Sequence, residues 1–122
     1  MFFNNRVFRT MEAGASAAWL QQQVHTHNIA NSDTPGYKAK SVVFDEVLQR
    51  TRTWGIGGRR ETALGTVVFD NNTTTIRPDG NNVDMDYEGL ALYKSYVQYS
   101  MLLDRLRGQI NNHTYVLNNA PK

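Results

Sequence analysis

The chain has three histidines, eleven carboxylates and no cysteine. Without cysteine there can be no disulfide scaffold, thiolate metal site or cysteine nucleophile. His25 and His27 are two apart in a helical pattern and point about 200° from each other, so they cannot share a metal, and His113 would have to supply a missing face. Each histidine reads instead as a seam or surface residue. Asp84-x-Asp86-x-Glu88-Gly89 has the acidic spacing that opens a calcium loop, but its twelfth position is Ser95, where a bidentate glutamate is needed. Helix capping accounts for the same residues. Gly55-x-Gly57-Gly58 lacks the strand before it and the helix and glycine spacing after it that a nucleotide cradle requires. No nucleophile elbow accompanies the serines. These residues assign no reaction, and no metal or cofactor is expected.

Charge and hydropathy narrow the classes further. A net charge of +2 is too small to imply nucleic acid, and Arg50, Arg52, Arg59 and Arg60 alternate with Trp54, glycines and Glu61 in the manner of a solvated loop. No apolar run approaches the roughly 18 to 20 residues of a membrane span. Met1-Phe2-Phe3-Asn4-Asn5 turns polar too soon for a cleavable signal peptide, so composition alone reads as cytoplasmic. At 122 residues the chain is one domain at most. Asparagine, threonine and glycine crowd its middle, which buries too little apolar surface to order alone.

Two helices must position whatever the chain does. From Arg6 to Asn31, Ala13, Ala17, Leu20, Val24 and His27 recur at intervals of four and three, flanked by Val7, Met11, Ala18 and Trp19. Gln21, Gln22 and Gln23 add an uncharged polar surface. Downstream, Leu92, Tyr96, Tyr99, Leu103, Leu106, Ile110, His113 and Leu117 form a heptad stripe extended upstream by Met85 and Gly89, the pattern of a coiled-coil seam. Asp84 is a natural N-cap, Asp86 and Glu88 suit the positive end of the helix dipole, and Arg105 and Arg107 lie towards its other end. Between the helices only short stretches of β character remain, at Ser41 to Phe44, Gly65 to Phe69 and Thr73 to Ile76. The expected fold is mainly α: N- and C-terminal helices paired as an antiparallel coiled-coil hairpin, with an irregular β-leaning insert between them. Residues 1–31 supply the first helix, 32–83 the insert with its leading turn, and 84–122 the second helix.

The first helix ends within Asn28-Ile29-Ala30-Asn31-Ser32-Asp33-Thr34-Pro35-Gly36-Tyr37. Asn31 tolerates the left-handed conformation that closes many helices, and Ser32, Asp33 and Thr34 can bond the backbone groups of the last turn. Thr34 is pushed to an extended conformation by the proline, and Pro35-Gly36 fits the two central positions of a type II turn. Physics alone makes this a helix C-cap followed by a tight turn.

The whole string carries more. Asn-Ile-Ala-Asn, a polar spacer and Thr-Pro-Gly-Tyr resembles the segment after the N-terminal helix of bacterial flagellar rod and hook proteins. Asp79-Gly80-Asn81-Asn82-Val83-Asp84-Met85-Asp86-Tyr87-Glu88 is similar to the lead into the C-terminal helix of the family's small proximal-rod subunits. The resemblance covers the first helix with its motif and the chain from Asp79 onwards; residues 50 to 77 match nothing in it. Where the family commonly has arginine and leucine in its first helix, this chain has the alanine-rich Ala13 to Ala18 and the glutamines.

The resemblance implies a non-enzymatic structural subunit of the basal body, in the proximal rod that crosses the periplasm, exported without a cleaved signal. Asn28, Ile29, Ala30, Asn31, Thr34, Pro35, Gly36 and Tyr37 would serve assembly at the point where the chain leaves the helical layer. Implied partners are other rod subunits, the adaptor joining the rod to the MS ring, further copies of the chain, and the flagellar type III export gate during secretion. Phe44-Asp45-Glu46-Val47-Leu48 resembles the family's Phe-x-x-x-Leu export segment through Phe44 and Leu48. By pattern it equally fits a half-buried strand or a helical turn. The alternatives are another small proximal-rod subunit or, from a different class, a cytoplasmic coiled-coil adaptor.

Overall fold

The structure, a computed structural model, describes residues 5–49, 61–72 and 76–121, with the backbone alone for 44–49 and 61–66. Chain order is α1 (Arg6–Ala30), β1 (Lys40–Gln49), β2 (Glu61–Asp70) and α2 (Met85–Asn119). Asn5 caps α1 by accepting the Val7 N–H, and Asp84 caps α2 by accepting from both Asp86 and Tyr87. Both helices start where the sequence predicts.

The helices run antiparallel. Along α2, Leu102 lies against Gly14, Tyr99 sits tilted against Trp19 with ring centroids 5.8 Å apart, and Glu88 meets His25 at 2.5 Å, so rising α1 numbers meet falling α2 numbers. At Gly14 an added β-carbon would sit 3.3 Å from Leu102 Cδ1, so the missing side chain sets how closely the helices approach.

The face of α2 that α1 covers differs from the predicted stripe by one residue at every second step. Leu92, Tyr99, Leu106 and His113 are partly covered as predicted. Their alternating partners are Glu88, Ser95, Leu102 and Gln109, whereas Tyr96 and Ile110 remain 58% and 40% exposed and Leu117 is exposed too. Leu103 is half-buried at the edge. The shift has a physical cause: two polar residues, Glu88 and Ser95, lie on the covered line with polar partners of their own. The Glu88 carboxylate meets His25, and the Ser95 hydroxyl donates to the Leu92 carbonyl at 2.8 Å. A stripe read from apolar residues alone passes beside them. On α1 the predicted Ala17 and Val24 are buried and Leu20 is half-buried, while His27 is exposed and His25 faces α2 in its place.

The insert is more regular than predicted. β1 and β2 pair antiparallel from Lys40↔Asp70 to Gln49↔Glu61, which absorbs the expected short stretches at Ser41 to Phe44 and Gly65 to Phe69 into one hairpin. Asp45 and Glu46 interrupt the apolar alternation in sequence and conceal that length. The hairpin contacts α1 mainly through β1, yet Val43, Val67, Val68 and Phe69 remain substantially exposed. The predicted arginine and glycine cluster in 50–60 and most of the Thr73 to Ile76 stretch lie outside the described residues. Leu102→Ala is expected to lower the unfolding free energy by about 2 kcal/mol and Ile110→Ala by no more than about 0.5 kcal/mol. Urea denaturation of the isolated chain checks this, and equal losses would return the seam to the apolar stripe.

Candidate assembly junction

The densest polar structure lies where α1, the hairpin and α2 meet. The Asn28 side chain is fully buried on the last turn of α1. Its Nδ2 donates to the Lys40 carbonyl at 2.8 Å, and its Oδ1 accepts the Lys40 N–H at 3.0 Å and the Tyr37 hydroxyl at 3.0 Å. One amide therefore holds both backbone groups of the first hairpin residue, as a neighbouring strand would. Asparagine is required here because a carboxylate could not donate to the Lys40 carbonyl.

Asn81, also fully buried, joins the lead into α2 to the turn after α1. Its Nδ2 donates to the carbonyls of Asn31, Ser32 and Thr34 at 2.9 to 3.0 Å, two protons being shared among three acceptors. Its Oδ1 accepts the Val83 N–H at 2.8 Å. The amide orientation is dictated by chemistry, since an oxygen facing three carbonyls would be repelled. Asn82 closes the base of the hairpin: its Oδ1 accepts the Ala39 N–H at 2.6 Å, and its Nδ2 donates to the Asn71 carbonyl at 2.7 Å. Lys38 Nζ donates to the Gly80 carbonyl at 2.7 Å, and Arg77 donates to the Ser32 carbonyl.

The backbone of the predicted turn fits inside this network. Tyr37 N–H bonds the Thr34 carbonyl across Pro35-Gly36, and Gly36 has φ 71°, as the third position of a type II turn requires. Gly36 N–H donates to the Asp79 carbonyl at 3.0 Å. Gly80 is also left-handed, with φ 86°, and an added β-carbon there would lie 3.6 Å from Gly36 Cα, so two glycine turns pack back to back. Asn31 closes α1 with φ −101° and ψ 17° rather than in the left-handed region. Its side chain bonds back to the His27 carbonyl at 2.8 Å and accepts the Thr34 hydroxyl, which caps the helix without the reversal. Ile29 is half-buried on α1 and Ala30 is exposed.

Tyr37 lies between Asn28 Oδ1 and His27 Nδ1, 2.9 Å from the latter. Burial pushes its phenol pKa above the ordinary 10.0, with Asp70 and Glu88 adding to the shift. The folded state therefore holds this proton more tightly than the unfolded chain, and the stability involved is complete below pH 10.0 and falls as pH rises beyond it.

The motif residues Asn28, Asn31, Thr34, Gly36 and Tyr37 are thus brought together in one network. Pro35 is exposed and acts through its fixed φ. Asn81, Asn82 and the His25–Glu88 pair complete the junction and were not singled out as site residues from sequence. The Asn-Asn pair inside the Asp79 to Glu88 match was the available signal. Phe44 and Leu48 fall on β1, and their side chains are outside the described residues. Among the described residues, no three of His, Asp or Glu converge as a metal site, and no helix is long and apolar enough to cross a membrane.

Comparison with known proteins gives this arrangement its relatives. Residues 8–38 match the family model described as flagella basal body rod protein. The chain is 33% identical over 117 residues to the flagellar basal body rod protein FlgB of Bacillus subtilis (strain 168), covering 89% of this chain and 91% of that one. It is 32% identical over 113 residues to FlgB of Escherichia coli (strain K12), covering 80% and 82%. Against FlgB of Buchnera aphidicola it is 26% identical over 130 residues, covering 93% and 95%.

Asn81→Ala is expected to cost about 1–3 kcal/mol, chiefly through the buried Val83 N–H left without its partner, since the Asn31, Ser32 and Thr34 carbonyls keep the Thr34 N–H, Arg77 and the Tyr37 N–H. Asn81→Asp should be worse despite its closer shape, because it turns a carboxylate oxygen towards three carbonyls. Chemical denaturation of both variants decides it, and an aspartate variant as stable as the parent would contradict the assigned network.

Proposed function

The chain belongs to the FlgB family of flagellar basal body rod proteins, a structural class, and on that premise we propose that it polymerises in the proximal part of the rod. The observation that supports this reading is the junction. Asn28, Asn81 and Asn82 fix the direction in which the hairpin leaves the helix pair, and a subunit that tiles a tube must project its insert at one repeated angle. Asn28 to Tyr37 act as assembly residues, with no reaction assigned to them.

The same reading takes the chain out of the cytoplasm through the flagellar type III apparatus without a cleaved signal, to meet other rod subunits and the adaptor at the MS ring. Export engages the segment around Phe44 and Leu48. Ordering is completed on assembly, because exposed apolar residues such as Leu90, Tyr93 and Tyr96 on α2 gain buried surface only when neighbours supply it.

Locating a labelled copy in purified basal bodies tests the assignment, since a cytoplasmic adaptor would be absent from them. Two variants separate its parts. Phe44→Ala with Leu48→Ala is expected to reduce secretion with expression intact; undiminished secretion removes the export assignment. Gly36→Val should be secreted and yet give rodless, non-motile cells, because a β-branched residue at φ 71° is strained by about 1 kcal/mol or more in every copy. Gly36→Asn should be milder, and normal rods built with the valine variant would reduce the turn to a local cap.

A further inference from the structure

Beside the α1–α2 seam runs a groove of about 390 Å³, lined by Gly14, Ala17, Ala18 and Gln21 on α1 and by Gln98, Met101, Leu102 and Arg105 on α2. Its lining is mainly apolar, and three of its four α1 residues, Gly14, Ala17 and Ala18, are small. Elsewhere on α2, on the side turned away from α1, Leu90 and Tyr93 are 69% and 67% exposed, and the half-buried Val97 continues the same line. At 100° per residue the ridge and the groove lie roughly a quarter turn apart around α2. One molecule thus carries a large-residue ridge and a small-residue groove, and cannot bring its own two together.

We propose that the groove receives the Leu90-Tyr93-Val97 ridge of a second copy of this chain, lying parallel and displaced by about eight residues, roughly 12 Å along α2. The inference rests on the rod reading above and names one of its contacts. Charge selects the copy and its register. With an eight-residue displacement Leu90 of one copy covers Gln98 of the next, Tyr93 covers Met101, and Val97 covers Arg105, all three being groove residues. The same displacement sets Asp86, on the line of the ridge, over Lys94, on the flank of the groove. Both are exposed, and neither has an ion pair among the described residues. An antiparallel approach would lose this pairing.

The contact is heterologous: each copy gives its ridge to one neighbour and its groove to another. Because the faces are a quarter turn apart and displaced along the helix, successive copies rotate and rise together, which builds an open helical array instead of a closed dimer.

The absence of cysteine makes cross-linking a direct test. A full-length chain carrying Asp86→Cys and Lys94→Cys cannot bridge within itself, since the positions lie about 12 Å apart and a disulfide needs Cα atoms within about 7 Å. Basal bodies containing the double variant should yield, on mild oxidation, a ladder of dimers, trimers and higher species of this chain. Each single variant should remain monomeric. Tyr93→Ala in the double-cysteine chain, with its helical circular dichroism retained, should lower ladder yield at least threefold. Three results would overturn the contact while leaving rod membership intact: basal bodies that contain the double variant but give no ladder, dimers from a single variant, or cross-links to a different protein. Absence of the unmodified chain from basal bodies would remove the rod reading and this contact with it.

Discussion

A side-chain amide can satisfy a peptide N–H and a peptide carbonyl at once, and the fold depends on three that do so. Asn28 binds the end of α1 to the first residue of β1. Asn82 binds the lead into α2 to the base of both strands, and Asn81 binds that lead to the turn after α1. Asn81 and Asn82 satisfy the buried Val83 and Ala39 N–H groups and Asn28 satisfies both backbone groups of Lys40, so none can be removed without a cost elsewhere. The two left-handed glycines, Gly36 and Gly80, let the two loops approach closely enough for these amides to reach.

The apolar core explains why the polar junction has this weight. The buried hydrophobic residues among those described are Ala15, Ala17, Ala18, Val24, Ala39 and Val83, a thin set for two helices and a hairpin. Packing of alanine against half-covered leucines draws the helices together and sets a close spacing at Gly14, but it leaves the position of the hairpin loosely specified. Directional hydrogen bonds supply that position. Much of the large apolar surface remains outside, on both α2 and the hairpin, as suits a chain whose neighbours provide the rest of its core.

The helix boundaries, the Asp84 cap, the Pro-Gly turn and the motif were legible because each depends on local chemistry within a few residues, whereas Asn31 closes α1 through its side chain rather than by the left-handed backbone expected of it. The covered face of α2 was half legible. Leu92, Tyr99 and Leu106 announce it, but Glu88 and Ser95 are polar and belong to it only because His25 and the Leu92 carbonyl meet them. The hairpin was legible as β character and not as a ladder, because Asp45 and Glu46 break its pattern. The roles of Asn81 and Asn82 could not be read locally: their acceptors lie some fifty and ten residues away in the chain, and only the fold brings them together.

The central claim is that the junction is already formed in a single chain, before any neighbour arrives. Native-state amide exchange on the isolated chain tests it most directly. The account predicts that Gly36, Ala39, Lys40 and Val83, whose N–H groups meet junction acceptors, exchange slowly and as one cooperative unit, while the exposed C-terminal end of α2 at Tyr115 to Leu117 frays and exchanges much faster. Fast, independent exchange at those four amides while the α1–α2 seam stays protected would contradict it, and would place formation of the junction in the assembled rod.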